Sequence, residues 1–186
     1  MRFIPYLFLL FSIISFGQNK EIKIKANVLT LPLLITNLAV EYPITKKITL
    51  EANGIISPWK SFKNNNLQIY MANLDGRYYF DEAFKNFYIG PSIGFAFFNL
   101  QKWNYWNTDK YQKGVTFLLG ATIGYQFQLN EKFGLDFYIS GGNSQGNYVG
   151  YSKIDDSEIR YDNATDFNKS GEWLIYKGGV MLTYQL

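Results

Sequence analysis

Residues 114–129 read GVTFLLGATIGYQFQL, and the alternation within them decides the fold. Val115, Phe117, Leu119, Ala121, Ile123, Tyr125, Phe127 and Leu129 form one row; Gly114, Thr116, Leu118, Gly120, Thr122, Gly124, Gln126 and Gln128 form the other. A two-residue period is that of a β-strand, whose successive side chains leave by opposite faces. A soluble sheet turns its apolar row inward, whereas a membrane barrel turns it out to lipid. The second row distinguishes the two, because it is made mostly of Gly, Thr and Gln where a solvated face would carry long Lys and Glu side chains. Small polar residues suit a crowded lumen, so the apolar row is expected to face lipid.

Outward from this stretch, turn signals divide the chain into eight alternating segments, at 21–29, 36–45, 48–58, 67–80, 86–99, 114–129, 132–142 and 172–186. Each is near or above the roughly 9–11 residues that a tilted strand needs to cross a bilayer. Thr45-Lys46-Lys47, the DEAFKN stretch at 81–86 and Asn130-Glu131-Lys132 are short polar turns, and TLPLLI at 30–35 is compact. The connections 59–66, 100–113 and 143–171 are longer, an asymmetry of the outer-membrane kind. In the last segment Leu174, Tyr176, Gly178, Val180, Leu182, Tyr184 and Leu186 make one row, expected to close the sheet by pairing with the first strand. The expected fold is all-β: an antiparallel, eight-stranded transmembrane β-barrel of outer-membrane type, an up-and-down meander in a single domain over residues 18–186.

The chain opens with MRFIPYLFLLFSIISFGQNK, in which Arg2, an apolar core and small residues at Ser15 and Gly17 mark a signal peptide over residues 1–17, cut before Gln18. Export then places the protein in the outer membrane of a Gram-negative bacterium. Beyond this segment no apolar run reaches about 18 residues, which excludes a spanning helix. The slightly negative mean hydropathy does not exclude a barrel, since only alternate residues meet lipid. The 186 residues contain no Cys and no His. Disulfides, a lipid-modified Cys and Cys nucleophiles are therefore closed, as are Ser-His machinery and His ligation. A net charge of +3 without a basic run gives no footing for nucleic acid.

Projected with the same period, Lys23, Lys25, Glu41, Glu51, Asp75, Arg77, Asp136 and Lys177 all fall opposite the apolar rows. Four cations and four anions would then share the interior, as the pairing of buried charges requires. A barrel of this size is filled by its side chains, so a plugged polar lumen without a pore is expected. Aromatics are 19% of the chain. Many sit near strand ends, among them Trp59, Tyr78, Trp103, Trp106, Trp173 and Tyr184, where rings with a polar edge settle at the headgroup level. Trp103, Tyr105 and Trp106 also admit a second reading, a ligand platform on an exposed loop.

Residues 25–59 carry Lys25, Asn27 and Leu29, then Asn37-Leu38, Val40-Glu41-Tyr42, the Lys46-Lys47 turn and Pro58-Trp59. With Asp75-Gly76-Arg77-Tyr78-Tyr79 and the Gly/Tyr-rich stretch at 120–128, this pattern resembles the Bacteroidota-type domain of unknown function 3575 (DUF3575) family. The resemblance covers most of the mature chain and implies a small exported outer-membrane β-barrel. It implies no catalytic residues.

The acidic stretch at 151–172 holds Asp155, Asp156, Glu158, Asp162 and Asp166, oxygen ligands of the kind calcium takes. The Asp-x-Asp-x-Asp-Gly pattern is absent and Lys153, Arg160 and Lys169 interleave, so a solvated surface loop is expected, with no metal and no cofactor. Nothing spaces two of these carboxylates for glycoside hydrolysis. The expectation is a non-catalytic, monomeric barrel embedded in outer-membrane lipid, with a structural or surface-interaction role in which loops 100–113 and 143–171 meet a ligand or protein. The competing reading is a soluble periplasmic barrel with apolar rows turned inward on a small hydrophobic ligand.

Overall fold

The structure, a computed structural model, describes residues 22–62, 65–102, 105, 108–154, 157–161 and 166–186. The signal segment 1–17, Trp103, Trp106, Asp155, Asp156 and Asp162 lie outside the described residues. Nine strands follow one another: β1 (Lys23–Asn27), β2 (Thr36–Pro43), β3 (Ile48–Phe62), β4 (Asn65–Tyr79), β5 (Asn86–Leu100), β6 (Lys110–Gln128), β7 (Phe133–Ile154), β8 (Ser157–Arg160) and β9 (Asn168–Gln185). A 3-10 turn at Leu31–Leu33 joins β1 to β2, and no helix of the described residues is long and apolar enough to cross a membrane. Every pairing is antiparallel.

The sheet runs β6-β5-β4-β3-β2-β1-β9-β7-β8, and the additional β6–β7 pairing closes eight of the strands into a ring. Strand β8 stands outside the ring as a hairpin on the far end of β7. Closure joins the first and last strands, with Lys23 opposite Gln185 and Ala26 opposite Leu182. One end of the ring carries short turns held by their own side chains. Thr45 Oγ1 accepts from the backbone N–H of Lys47 and Ile48, and Asn130 Oδ1 accepts from Lys132 and Phe133. The longer hairpins occupy the other end.

Alternation governs which residues face which way. In β6, Thr122 and Gln126 are fully buried while Phe117, Leu119 and Ile123 are half exposed. Leu38 and Val40, Leu50 and Ile56, Leu74, Ile93 and Phe95, and Phe137 and Ile139 repeat this on the other strands, so the outside of the ring is apolar. The competing reading needed these rows inside, and they are outside.

Several expectations are corrected. The first segment is a strand for only five residues. Asn27 Oδ1 accepts from the backbone N–H of Leu29, and Pro32 and the left-handed Leu34 (φ 55°) turn the chain out of the sheet. The expected loop 143–171 is mostly sheet, because β7 continues to Ile154 and β9 begins at Asn168. Its Gly, Ser and Asn residues resemble turn chemistry but are held by ladders to β6 and β9 on either side. Likewise β3 and β4 run through most of 59–66, and β6 takes up part of 100–113. In β9 a bulge places Ser140 opposite Lys177 but Gly141 opposite Ile175, so the apolar row changes face there. Trp173 and Ile175 point outward above the bulge, and Leu174 joins the interior.

Candidate functional site

The interior divides into a charged half toward the short turns and an apolar half toward the long hairpins. All eight predicted lumen residues, Lys23, Lys25, Glu41, Glu51, Asp75, Arg77, Asp136 and Lys177, are buried. Register explains why they need one another. Glu41 lies opposite Glu51, and Glu51 opposite Asp75, so three adjacent strands present carboxylates side by side. Like charges in that position repel, and cations set among them offset the repulsion.

Those cations are Lys25 of β1 and Arg77 of β4. Lys25 Nζ lies against Glu41 Oε2, 3.0 Å from Glu51 Oε2 and 2.7 Å from Asp136 Oδ2. Arg77 Nη2 is 2.5 Å from Glu51 Oε1, and its Nη1 is 2.8 Å from Asp136 Oδ2 and 3.4 Å from Glu41 Oε2. Its guanidinium also lies over the Tyr88 ring, 4.6 Å from the centroid. Lys177 Nζ binds Asp75 Oδ2 at 2.6 Å. Lys23 stands toward the short turns, donating to Gln128 Oε1 and lying over Phe84.

Neutral residues complete the cluster, and the sequence reading passed over them. Tyr79 Oη reaches Glu41 Oε1 at 2.8 Å and Gln126 Oε1 at 2.7 Å, and Tyr88 Oη donates to Asp136 Oδ1 at 2.8 Å. Thr49 donates to Glu41. Beyond the charges, Asn27 donates to Asn37 and Asn37 to Asn53, with Tyr138 donating to Asn37. The signal for these residues was in the alternation, since Tyr79 continues the row of Asp75 and Arg77, and Asn53 that of Glu51.

Glu41, Glu51 and Asp136 bring carboxylate oxygens within 4.8 Å of one another, the convergence a metal ion requires. Lys25 Nζ already contacts all three. Lys25, Glu41, Glu51 and Asp136 are fully buried, so the site is an interior ionic network. In the turn between β4 and β5, the hydrogen bond from the Lys85 ammonium holds the exposed Glu82 carboxyl below the usual carboxylate range.

Among the predicted interfacial aromatics, Tyr78 is exposed, Trp173 is 81% exposed, and Tyr184 packs on Phe133 with ring centroids 5.2 Å apart. Phe87, Tyr125, Phe127 and Phe137 continue an outward band at the short-turn end. Trp59 is half-buried, and its indole N–H donates to Leu33 O at 2.8 Å. The long end carries Tyr and Lys side chains on β6, on β7 and just past β8, of which Tyr111 is buried. Lys113 lies over Tyr151 and Tyr111, and Lys110 over Tyr161.

No curated protein and no solved structure matches the chain. A family model described as "Protein of unknown function (DUF3575)" matches residues 5–186, essentially the whole chain, and the protein belongs to that family.

Proposed function

We propose that the protein is a non-catalytic, monomeric outer-membrane β-barrel, exported by its N-terminal signal and spanning the bilayer with its ring. The observation that carries this reading is its inverted burial. Leu119, Phe95 and Phe97 are exposed on the outside, while Lys25, Glu41, Glu51 and Asp136 have no exposure at all. Water would favour the opposite arrangement, and lipid favours this one. The outward aromatic rings at the short-turn end fit a headgroup boundary. The charge cluster then serves as a lock that holds the staves together, and the Tyr and Lys surface at the long end is the part presented for interaction with a ligand or protein outside the cell.

Gel mobility of boiled and unboiled protein from separated membrane fractions tests the reading. An SDS-resistant, faster unboiled band in the outer-membrane fraction is expected. Recovery as a soluble species with a single mobility would overturn it.

A further inference from the structure

The half of the ring beyond the asparagines encloses a cavity of about 240 Å³. Ile69, Met71, Phe98, Leu118 and Leu174 give it apolar walls, and Lys102 and Glu172 stand among its lining residues as an ion pair with Nζ–Oε1 2.7 Å. The expectation of a lumen filled by its own side chains is thus corrected for this half. The reason is sequence placement: the fully buried Lys, Arg, Glu and Asp cluster falls on the other half, and Ala96, Gly146 and Ser144 leave room here beside Lys102, Gln112 and Glu172.

Ring closure is incomplete at this height. Strand β1 ends at Asn27 opposite Met181, and the last β2 pairing is Thr36 with Ile56. Above these points the edge of β9 from Asn168 and the edge of β3 beyond Ile56 have no strand partner on that side among the described residues. The exposed leucines Leu31, Leu33 and Leu34 border this gap, tied across to Trp59. The cavity reaches it, for both the inward Leu174 and the outward Ile175 line the space. An interior apolar chamber with an apolar side entrance admits molecules that travel in an apolar phase.

We propose that this cavity binds a single-chain amphiphile with an anionic head, of the medium-chain carboxylate type. Size sets the chain: a dry cavity of about 150 Å³ takes benzene, which scales to roughly ten non-hydrogen atoms here. Charge sets the head. Glu172 is the more exposed of the ion pair, at 46% against 31% for Lys102, and Lys102 also lies over the Tyr148 ring at 6.0 Å. Glu172 therefore yields to water more readily, and a ligand carboxylate takes its place on Lys102. Thr116 and Ser144, already bonded to each other at 2.7 Å, add hydroxyls to the wall. The inference rests on the bilayer reading for its entrance from an apolar phase; a chain that does not enter nanodiscs counts against that reading, whereas one that enters without a Met71 shift overturns this proposal.

Two methionines make the test self-controlled. Met71 lines the cavity, whereas Met181 is fully buried opposite Asp136 in the charged half. The full chain, labelled with 13C-methyl methionine, is placed in lipid nanodiscs and titrated with sodium octanoate; Met71→Leu and Met181→Leu assign their two resonances, and the remaining one belongs to Met1. A saturable shift of Met71 with Met181 unmoved is expected, with octanol and octylammonium at least tenfold weaker. Lys102→Leu should bring octanoate down to the level of octanol, and Leu118→Trp should abolish the shift. No saturable Met71 shift, a parallel shift of Met181, an unchanged response in Lys102→Leu, or an equal response to octanol would overturn the proposal.

Discussion

Replacing Arg77 with Met tests whether the interior charges behave as one unit. The guanidinium touches Glu51 at 2.5 Å and Asp136 at 2.8 Å, and lies 3.4 Å from Glu41 and 3.8 Å from Asp75. At an effective dielectric near 20, each of the two closest contacts is worth roughly 6 kcal/mol before desolvation. Burial of the guanidinium and repulsion from Lys25 offset most of that gain. What the variant exposes is the cost of one buried carboxylate left without a partner, about 3–5 kcal/mol. Met fills similar volume, so little of the loss comes from packing. The assay is equilibrium urea unfolding from phospholipid vesicles followed by Trp fluorescence, where the midpoint should fall with an unchanged slope. Arg77→Met combined with Glu51→Gln removes the stranded charge and should recover roughly half of the loss, a coupling of at least about 1.5 kcal/mol. A cost below about 1 kcal/mol in the single variant, or strict additivity in the double, would refute the lock.

Tyr88→Phe leaves Asp136 Oδ1 without its donor and should cost about 1–3 kcal/mol in the same assay, with no change in gel mobility; full stability would mean the hydroxyl is dispensable. Leu119→Arg puts a charge in the outward apolar row and should cost about 2–4 kcal/mol in vesicles if that row lies near the bilayer midplane. An unaltered midpoint would place the residue outside the hydrocarbon. Glu82 sits below the usual carboxylate range because Lys85 donates to it, so its contribution is present above that range and lost as pH falls through the lowered value. Both partners are more than half exposed, and Glu82→Gln should leave the stability curve superimposable on wild type from about pH 3 to 7; a measurable difference would show a buried role.

Period-two alternation carried most of the fold, because in a closed ring of strands it sets which residues face the interior and which face out. It located Lys25, Glu41, Arg77 and Asp136 on one side of the sheet. It could not locate the ends of strands. Asn27 reads as another strand residue until its side chain is seen capping Leu29, and the Gly and Asn residues at 141–147 read as turn until β6 and β9 hold them. The bulge opposite Ser140 and Gly141 has no local signature, so the change of face at Leu174 and Ile175 was invisible. The same holds for the chamber, which depends on where β1 stops relative to β9.

The pairing of Lys23 with Gln185 also bears on how the molecule comes to exist. Lys25 meets Glu41 and Glu51 within the first third of the chain, but Asp136 lies 111 residues away. Contacts so distant are the slowest to form, and closing a loop of that size is an entropic barrier that no local turn relieves. Until β9 arrives, β1 has a bare edge and the nascent cluster remains hydrated. Sealing the seam and drying the charges are therefore one late event, and a cell must keep the chain from aggregating throughout the wait.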